Sequence, residues 1–533
     1  MASEKNQQIF REWVPDWLIL IAIFLTLIPI ASVLGIYLGG LSSAASYYGV
    51  DNTDIKYSVV VFYIAIATAF PLEKHFFNRF ASKPYIVGCS IIFVLLNLLL
   101  YFSKNFAILL VFRFLGGMLS LGFIGTMFTL IFRQFHAQRS RVLGYATLYA
   151  SLLGSAPLCQ LLDAYVFTEY DFNIIFLFKI YGVIPGLLLL TSFMKNSVDL
   201  RSEGKIILER IDWKSFILYA SGLLSLAYTL LYGQYYQWFS NQRIVFTCIG
   251  AIFFLLCFVF RQLKLDRPYI NLSIFKIRNF RIGMLLLVVF YFSKGDLSVL
   301  YGYMANSVNL DVYHKSYLMI SNAFGIVAGA ALTARFVLAK TSIRLVWITG
   351  FLALLGFHVY SLFLLSANGE GIDLLIPLFL QGFGNGTLML SIVIFYATSV
   401  PKEIAFSASV TGVGFRATTF TASMALVAFM SLHQQKIHKQ HFSEEITSTN
   451  QLANNRLAGY QQVFKKNGAS SLQAKAGSKK LMAKAIGKQT NLLFARDYYL
   501  YMSIFIGIVI LGIALIPHFH YQLRKIGDKL IPI

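Results

Sequence analysis

Charge is what this sequence has least of. Asp, Glu, Lys and Arg together make up 13% of its 533 residues, against roughly a quarter in soluble proteins. So few polar side chains could not cover a globule of this size in water, and a soluble multidomain protein, the ordinary expectation for this length, is excluded. Acidic residues are scarcest, 23 against 45 basic ones, leaving a net charge of +22. That excess would suit nucleic acid only if it clustered on a soluble domain. It falls instead between long apolar runs, so nucleic acid is not an expected partner. The four cysteines, Cys89, Cys159, Cys248 and Cys257, all sit in apolar stretches, with neither zinc spacing nor a disulfide framework. Of the nine histidines only His358 lies well within an apolar run, which excludes a membrane metalloenzyme built on clustered imidazoles. No G-x-x-x-x-G-K-[ST] loop is present to cradle a nucleotide: Gly204-Lys205 is followed by Ile206, and Gly487-Lys488 by Gln489. An ATP-driven pump is thereby excluded, no enzyme is expected, and no cofactor or metal is implied. Channel filter loops are absent too. Met1 to Trp13 is polar and the next apolar run is long, so that run reads as a membrane span and not as a cleaved leader.

What the chain does have is apolar surface: 57% hydrophobic residues and a mean hydropathy of +0.67. A helix needs about 20 mostly apolar residues to cross the hydrocarbon core. Fourteen runs qualify, near 17–39, 57–73, 84–103, 106–132, 142–166, 173–194, 213–233, 243–262, 282–304, 316–339, 344–365, 372–399, 405–432 and 498–517. Cytoplasmic loops are enriched in Lys and Arg, and the connections alternate accordingly. Lys74, Arg79 and Lys83 follow span 2, Arg133, Arg139 and Arg141 follow span 4, and Arg335, Lys340 and Arg344 follow span 10. The connection after span 6 carries Lys195, Arg201, Lys205, Arg210 and Lys214, and that after span 8 carries Arg261, Lys264, Arg267, Lys276, Arg278 and Arg281, whereas Glu169 with Asp171 and Glu370 with Asp373 mark the opposite side. Loop 12–13 is the weakest, with Lys402 alone. Both termini are expected in the cytoplasm.

The connection 433–497 is long and lysine-rich, and parity puts it outside. Leu472, Leu481, Met482, Ala485 and Ile486 in it suggest one apolar helical stripe. It reads as a small external helical cap, or as a docking surface for a periplasmic partner. Elsewhere, Asn78-Arg79-Phe80-Ala81-Ser82-Lys83 and Ala334-Arg335-Phe336-Val337-Leu338-Ala339-Lys340 are similar basic turns. They would be equivalent if two six-helix halves, 1–194 and 282–533, flank an inserted pair of spans within 195–281. Internal repeats are usual in carriers.

Three further motifs carry a resemblance. Arg267-Pro268-Tyr269-Ile270-Asn271-Leu272-Ser273-Ile274-Phe275, then Arg278-Asn279-Phe280-Arg281, leads into span 9; Gln381-Gly382-Phe383-Gly384-Asn385-Gly386 lies in span 12; Arg113-Phe114-Leu115-Gly116-Gly117 lies in span 4. In this order they resemble the fourteen-span drug:proton antiporters of the EmrB/QacA type within the major facilitator superfamily. The resemblance implies an all-α integral membrane fold with fourteen transmembrane helices in a cell (inner) membrane. It also implies proton coupling through Arg113, and a family position for Arg416 in span 13. Departures accompany it. The loop 2–3 motif has Asn78 where the family has an acid and keeps only Arg79 and Lys83; the span 5 antiporter motif keeps only Pro157; span 1 has no acid beyond Asp16 at its edge.

A charge buried in a span costs at least about 2.5–3.5 kcal/mol on insertion scales, so each one present asks for a reason. Asp296 in span 9 would favour proton uptake and release in an apolar site; the competing reading is a permanent ion pair. Lys294, two residues away, is a poor partner on one helix. Arg113 stays charged, able either to tune a nearby acid or to hold a carbonyl at a broken helix. Asp163 is expected at a solvated helix end. Lys179 is expected to snorkel or to line a cavity attracting anions, Arg416 to serve cavity or packing, and His358 to be a satisfied core histidine. Gly116 and Gly117 in span 4, and Gly382, Gly384 and Gly386 in span 12, remove side chains where helices pack or slide closely.

Proton-coupled export of amphipathic compounds by alternating access is therefore the leading expectation. An importer or lipid carrier of the same fold, and a non-transporting scaffold, remain open beside it. Expected partners are membrane lipid, a small amphipathic substrate and protons, and the resemblance adds a periplasmic adaptor with an outer-membrane channel.

Overall fold

In hydrocarbon a backbone must satisfy its own hydrogen bonds, so apolar runs close into helices. The computed structural model describes residues 9–80, 83–134, 140–196, 211–295, 297–365, 369–447 and 449–515, without the side chains of 38, 74–80, 133, 140, 141 and 306. Among them fourteen helices are long and apolar enough to cross a membrane. They are Asp16–Gly35, Asn52–Glu73, Lys83–Phe102, Phe106–Phe132, Val142–Glu169, Ile174–Phe193, Trp213–Gly233, Gln242–Lys264, Arg278–Ala305, Val312–Leu338, Ile343–Leu364, Ile372–Thr398, Lys402–Glu445 and Ser471–Leu515, spans 1 to 14 below. Polar residues at their ends start several of them. Asp212 accepts from the Ser215 amide at span 7, and Asp311 from the His314 amide at span 10, each satisfying a backbone donor that a first helical turn leaves over.

Spans 1 to 6 pack among themselves, as do spans 9 to 14, and two seams join the sets: span 5 against span 10, and span 2 against span 13. Span 7 leans on both spans of the second seam, while span 8 rests mainly on span 7. Burial follows this arrangement. Span 12 is 83% buried inside the protein and span 8 only 17%, so span 8 turns most of its apolar surface to lipid.

Glycines set the tightest contacts. On span 12 a side chain at Gly382 or Gly386 would strike the Asn322 or Ile326 carbonyl of span 10; on span 10 one at Gly325 or Gly329 would strike the Phe379 or Phe383 carbonyl of span 12. Two backbones thus lie directly against each other, the approach that small residues allow between membrane helices. Gly384 faces the other way, toward Leu354 and the Gly350 carbonyl of span 11. In span 4, a Cβ on Gly117 would lie 2.6 Å from the Phe62 carbonyl of span 2, and Gly116 faces the Phe62 ring.

Three features depart from the expected continuous spans. Span 1 loses α-helical form after Ser32, passing through 3-10 turns at Val33–Gly35 and Leu38–Gly40 around Tyr37 at φ +52°. Span 9 stops at Ser293, turns at Gly295 with φ +73°, and resumes at Leu297. The helix of span 13 continues to Glu445, Gln451–Lys466 follows, and span 14 begins far ahead of its apolar run, at Ser471. These extensions project on one face, called outer here, where a 2.7 Å His438–Asp497 contact ties the two long helices. The expected stripe is corrected in one place. Leu472 is 80% exposed, and the buried positions nearby are Ala474, Ser478 and Met482, one helical turn apart. Helical phase, not hydrophobicity alone, chose them.

Candidate functional site

Each broken span frees carbonyls that buried side chains then hold. Arg113 of span 4 is 3% exposed. Its Nη1 donates to the Val33 carbonyl at 3.1 Å, its Nε donates to the Ser58 carbonyl at 3.4 Å, and its guanidinium lies 4.2 Å from the Phe62 ring centre. Nη2 has no hydrogen-bond partner among the described residues. In span 9 the Ser293 carbonyl lies 3.1 Å from His358 Nε2 and the Lys294 carbonyl accepts from Gln381 Nε2 at 3.0 Å. A carbonyl only accepts, so His358 carries its proton on Nε2; its buried Nδ1 has no partner among the described residues. Asn322 of span 10 donates to Gln381 Oε1 at 2.6 Å, fixing that amide. Arg113 in the fourth span and Gln381 in the twelfth thus perform one task, gripping the break in the first helix of each set.

Between the two sets lies a cationic, aromatic layer. Arg416 Nη1 of span 13 donates to the Tyr149 hydroxyl of span 5 at 3.0 Å. Lys294 Nζ stands 4.9 Å from the Tyr291 ring and 5.2 Å from Phe420, and Phe420 meets Tyr63 of span 2 at 5.0 Å between ring centres. Ring faces attract cations, so these rings stabilise charges that lipid would not.

A second charged cluster lies inside the first six spans. Asp163 of span 5 and Lys179 of span 6 form a 3.0 Å ion pair with side chains 8% and 7% exposed. Lys179 Nζ also donates to Ser32 Oγ at 3.2 Å, where span 1 breaks.

No family model matches this chain. Among curated proteins it is 24% identical over 468 residues to "Multidrug export protein EmrB" of Escherichia coli K12, covering 85% of this chain and 86% of that one. It is 22% identical over 399 residues to "Uncharacterized MFS-type transporter YwoD" of Bacillus subtilis, covering 73% and 83%. In fold it is similar to a bacterial homologue of the lysosomal transporter Spinster, at a TM-score of 0.53 and 11% identity over 97% of this chain and 98% of that one. It is also similar to a POT family transporter, at 0.56 and 13% over 77% and 90%. Each sequence match runs through most of both chains, and the span count agrees. This chain has the major-facilitator fold. It is a multi-pass membrane protein similar along most of its length to the EmrB exporter.

Within this major-facilitator chain the expected residues fall unevenly. Arg113 holds a carbonyl at a helix break, one of its two expected roles. Lys294 and Arg416 line the layer between the sets. Gly116, Gly117, Gly382, Gly384 and Gly386 all face neighbouring helices, and Pro157 lies inside the helix of span 5. Lys83 donates to Asn196 Oδ1 at 2.9 Å, joining the start of span 3 to the end of span 6. Asp296 and the side chains of Asn78 and Arg79 lie outside the described residues. Two expectations are corrected. Asp163 is not at a solvated helix end and Lys179 does not snorkel, since each is buried against the other. Their sequence carried a signal: both are equidistant from Asp171 in a tight connection, so an antiparallel hairpin sets them at one depth. His358 is buried as expected but satisfied at one nitrogen only. Glu73, at the end of span 2, was not singled out; its enclosed Oε1 lacks a partner among the described residues and packs against Gly125.

Proposed function

We propose that this chain is a proton-coupled exporter of amphipathic or lipophilic compounds, working by alternating access between 1–194 and 282–533, with 195–281 as an inserted pair. The observation that carries this reading is the match to a multidrug exporter along 85% of the chain. The cationic, aromatic layer between the sets supports it, because a cavity there would bind ring-bearing amphiphiles. Asp296, Arg113, Lys294, Arg416 and Lys179 form the coupling and substrate pathway. Loop 2–3, with Asn78, Arg79 and Lys83, and the glycines of spans 4 and 12 govern the change of access. Both termini are cytoplasmic in an inner membrane, and the outer helices of 433–497 receive a periplasmic adaptor leading to an outer-membrane channel.

Inside-out vesicles containing the chain test the direction. Acidifying their lumen should drive ethidium inward, which is export in the cell. No flux across a broad panel of compounds would refute the transporter, and flux only in the opposite sense would favour an importer. Asp296→Asn should abolish gradient-driven accumulation; full retention removes Asp296 from the mechanism.

A further inference from the structure

The Asp163–Lys179 pair has a setting that a purely structural ion pair does not require. Replacing a buried pair by well-packed apolar residues is often neutral or stabilising, so holding spans 5 and 6 together does not explain it. Its surroundings are unbalanced in charge. Arg113 grips the carbonyl side of the span 1 break at Val33, and Lys179 grips the hydroxyl of Ser32 on the same turn. Two buried cations therefore flank one break, and among the described residues Asp163 is the one carboxylate bonded to either of them. Cys159, one turn before Asp163, is a further titratable group in the cluster.

Asp163 is also reachable. It borders a small cavity of about 20 Å³ at the outer ends of spans 5, 9 and 10, lined by Gln160, Tyr301, Lys315 and Ser316. That is room for one water, among enough polar groups to hold it. The cavity lies on the seam between the two sets, where Tyr301 of span 9 donates to Gln160 Oε1 of span 5 at 2.9 Å. Parting of spans 5 and 10 at this face would open it to the outer solution.

We propose that Asp163 is a proton-binding site of the carrier, loaded from the outer side through this cavity, with Lys179 as its counter-charge. The inference rests on the exporter reading for its role in transport. In the step, a hydronium ion in the outer water breaks one O–H bond and is left as water, its proton forming an O–H bond on Asp163 Oδ2, the oxygen that Lys179 does not engage, and Lys179 keeps its three protons. No other bond changes. Neutralising Asp163 leaves Lys179 and Arg113 buried without an anion, and they are relieved only when water reaches them. The protonated form therefore belongs to a conformation with the outer seam parted, and the ion-paired form to the closed seam described here. Lys179 from span 6, Arg113 from span 4, Lys315 from span 10, Tyr301 from span 9 and Cys159 from span 5 are charged and titratable groups around it, and span 1 contributes Ser32, with Tyr37 beyond it against Arg113.

Two readouts on the reconstituted full chain test the site. In acid-minus-neutral infrared difference spectra, the wild type should show a protonated-carboxyl band that Asp163→Asn removes; an unchanged spectrum in the variant overturns the site. Ethidium transport is then measured in proteoliposomes. The charge-neutral double variant D163N/K179Q should lose at least about tenfold in proton-driven accumulation and flatten its pH dependence. Wild-type accumulation and pH profile in the double variant would make the pair structural and overturn the proposal. If the double variant does not fold, D163E serves instead: a shifted pH profile supports the site, and an identical one overturns it. A titrating Asp163 band in a wild type that moves no ethidium would leave the site standing and defeat the exporter reading alone.

Discussion

Gly386→Ala should destabilise this protein through a single methyl group. The added Cβ would lie against the Ile326 carbonyl and 3.0 Å from the Ala330 amide nitrogen, both backbone atoms of span 10. No side chain can swing aside, so the two helices must part along their contact. Overpacking of this kind costs about 1–3 kcal/mol. Alanine also favours the helix by roughly 0.5–1 kcal/mol over glycine, which would mask part of the loss. Gly507→Ala in span 14 supplies the correction, because its Cβ would meet nothing within 4 Å while its helix gain is the same. The difference between the two variants isolates the packing cost. At about 2–4 °C per kcal/mol for chains of moderate size, it should appear as a gap on the order of 2–12 °C in detergent melting curves followed by tryptophan fluorescence. Equal midpoints for the two variants would refute the backbone contact between spans 10 and 12.

Further outcomes follow from the buried polar groups. Arg113→Lys keeps the charge but loses the planar fork that reaches both the Val33 and Ser58 carbonyls; with hydrogen bonds to charged groups worth about 1.5–3 kcal/mol, transport should fall roughly tenfold or more while expression persists. Tyr149→Phe removes one such bond from Arg416 and should lower the melting midpoint more than Tyr165→Phe, a tyrosine 41% exposed. Asp212 has a pKa below its ordinary value: burial pushes it up, but hydrogen bonds from Ser215 and Arg261 outweigh this. A lowered carboxyl pKa stabilises the folded form above the unfolded value near 3.9, and that contribution is lost as pH falls through the folded value. Asp212→Asn should therefore speed amide exchange at the start of span 7 at neutral pH, and the gap to wild type should close in strong acid.

The membrane helices were legible residue by residue because lipid imposes a simple criterion, a long apolar run between polar ends. Where span 14 begins was not. Its polar first half, from Ser471, is helical because it packs on Gln451–Lys466, with Gly477 seated on the Phe464 ring. The glycines of span 12 announced close approach, but not that Gly382 and Gly386 meet one neighbour while Gly384 meets another. Arg113 was conspicuous as a charge in an apolar run, and its grip on a broken helix was foreseeable only as one of two roles. Gln381 and Asn322 were not conspicuous, because uncharged amides are common and nothing local marks the carbonyl they will meet.

The sequence by itself determined that this chain dissolves in lipid, how many times it crosses and which exporters it resembles, since these follow from local hydrophobicity and from motifs read in order. Only the tertiary structure decided that Asp163 meets Lys179, that spans 1 and 9 break, and that Arg113 and Gln381 hold the breaks. A buried charge announces its cost along the chain, whereas the partner that offsets it arrives from another helix at the same depth.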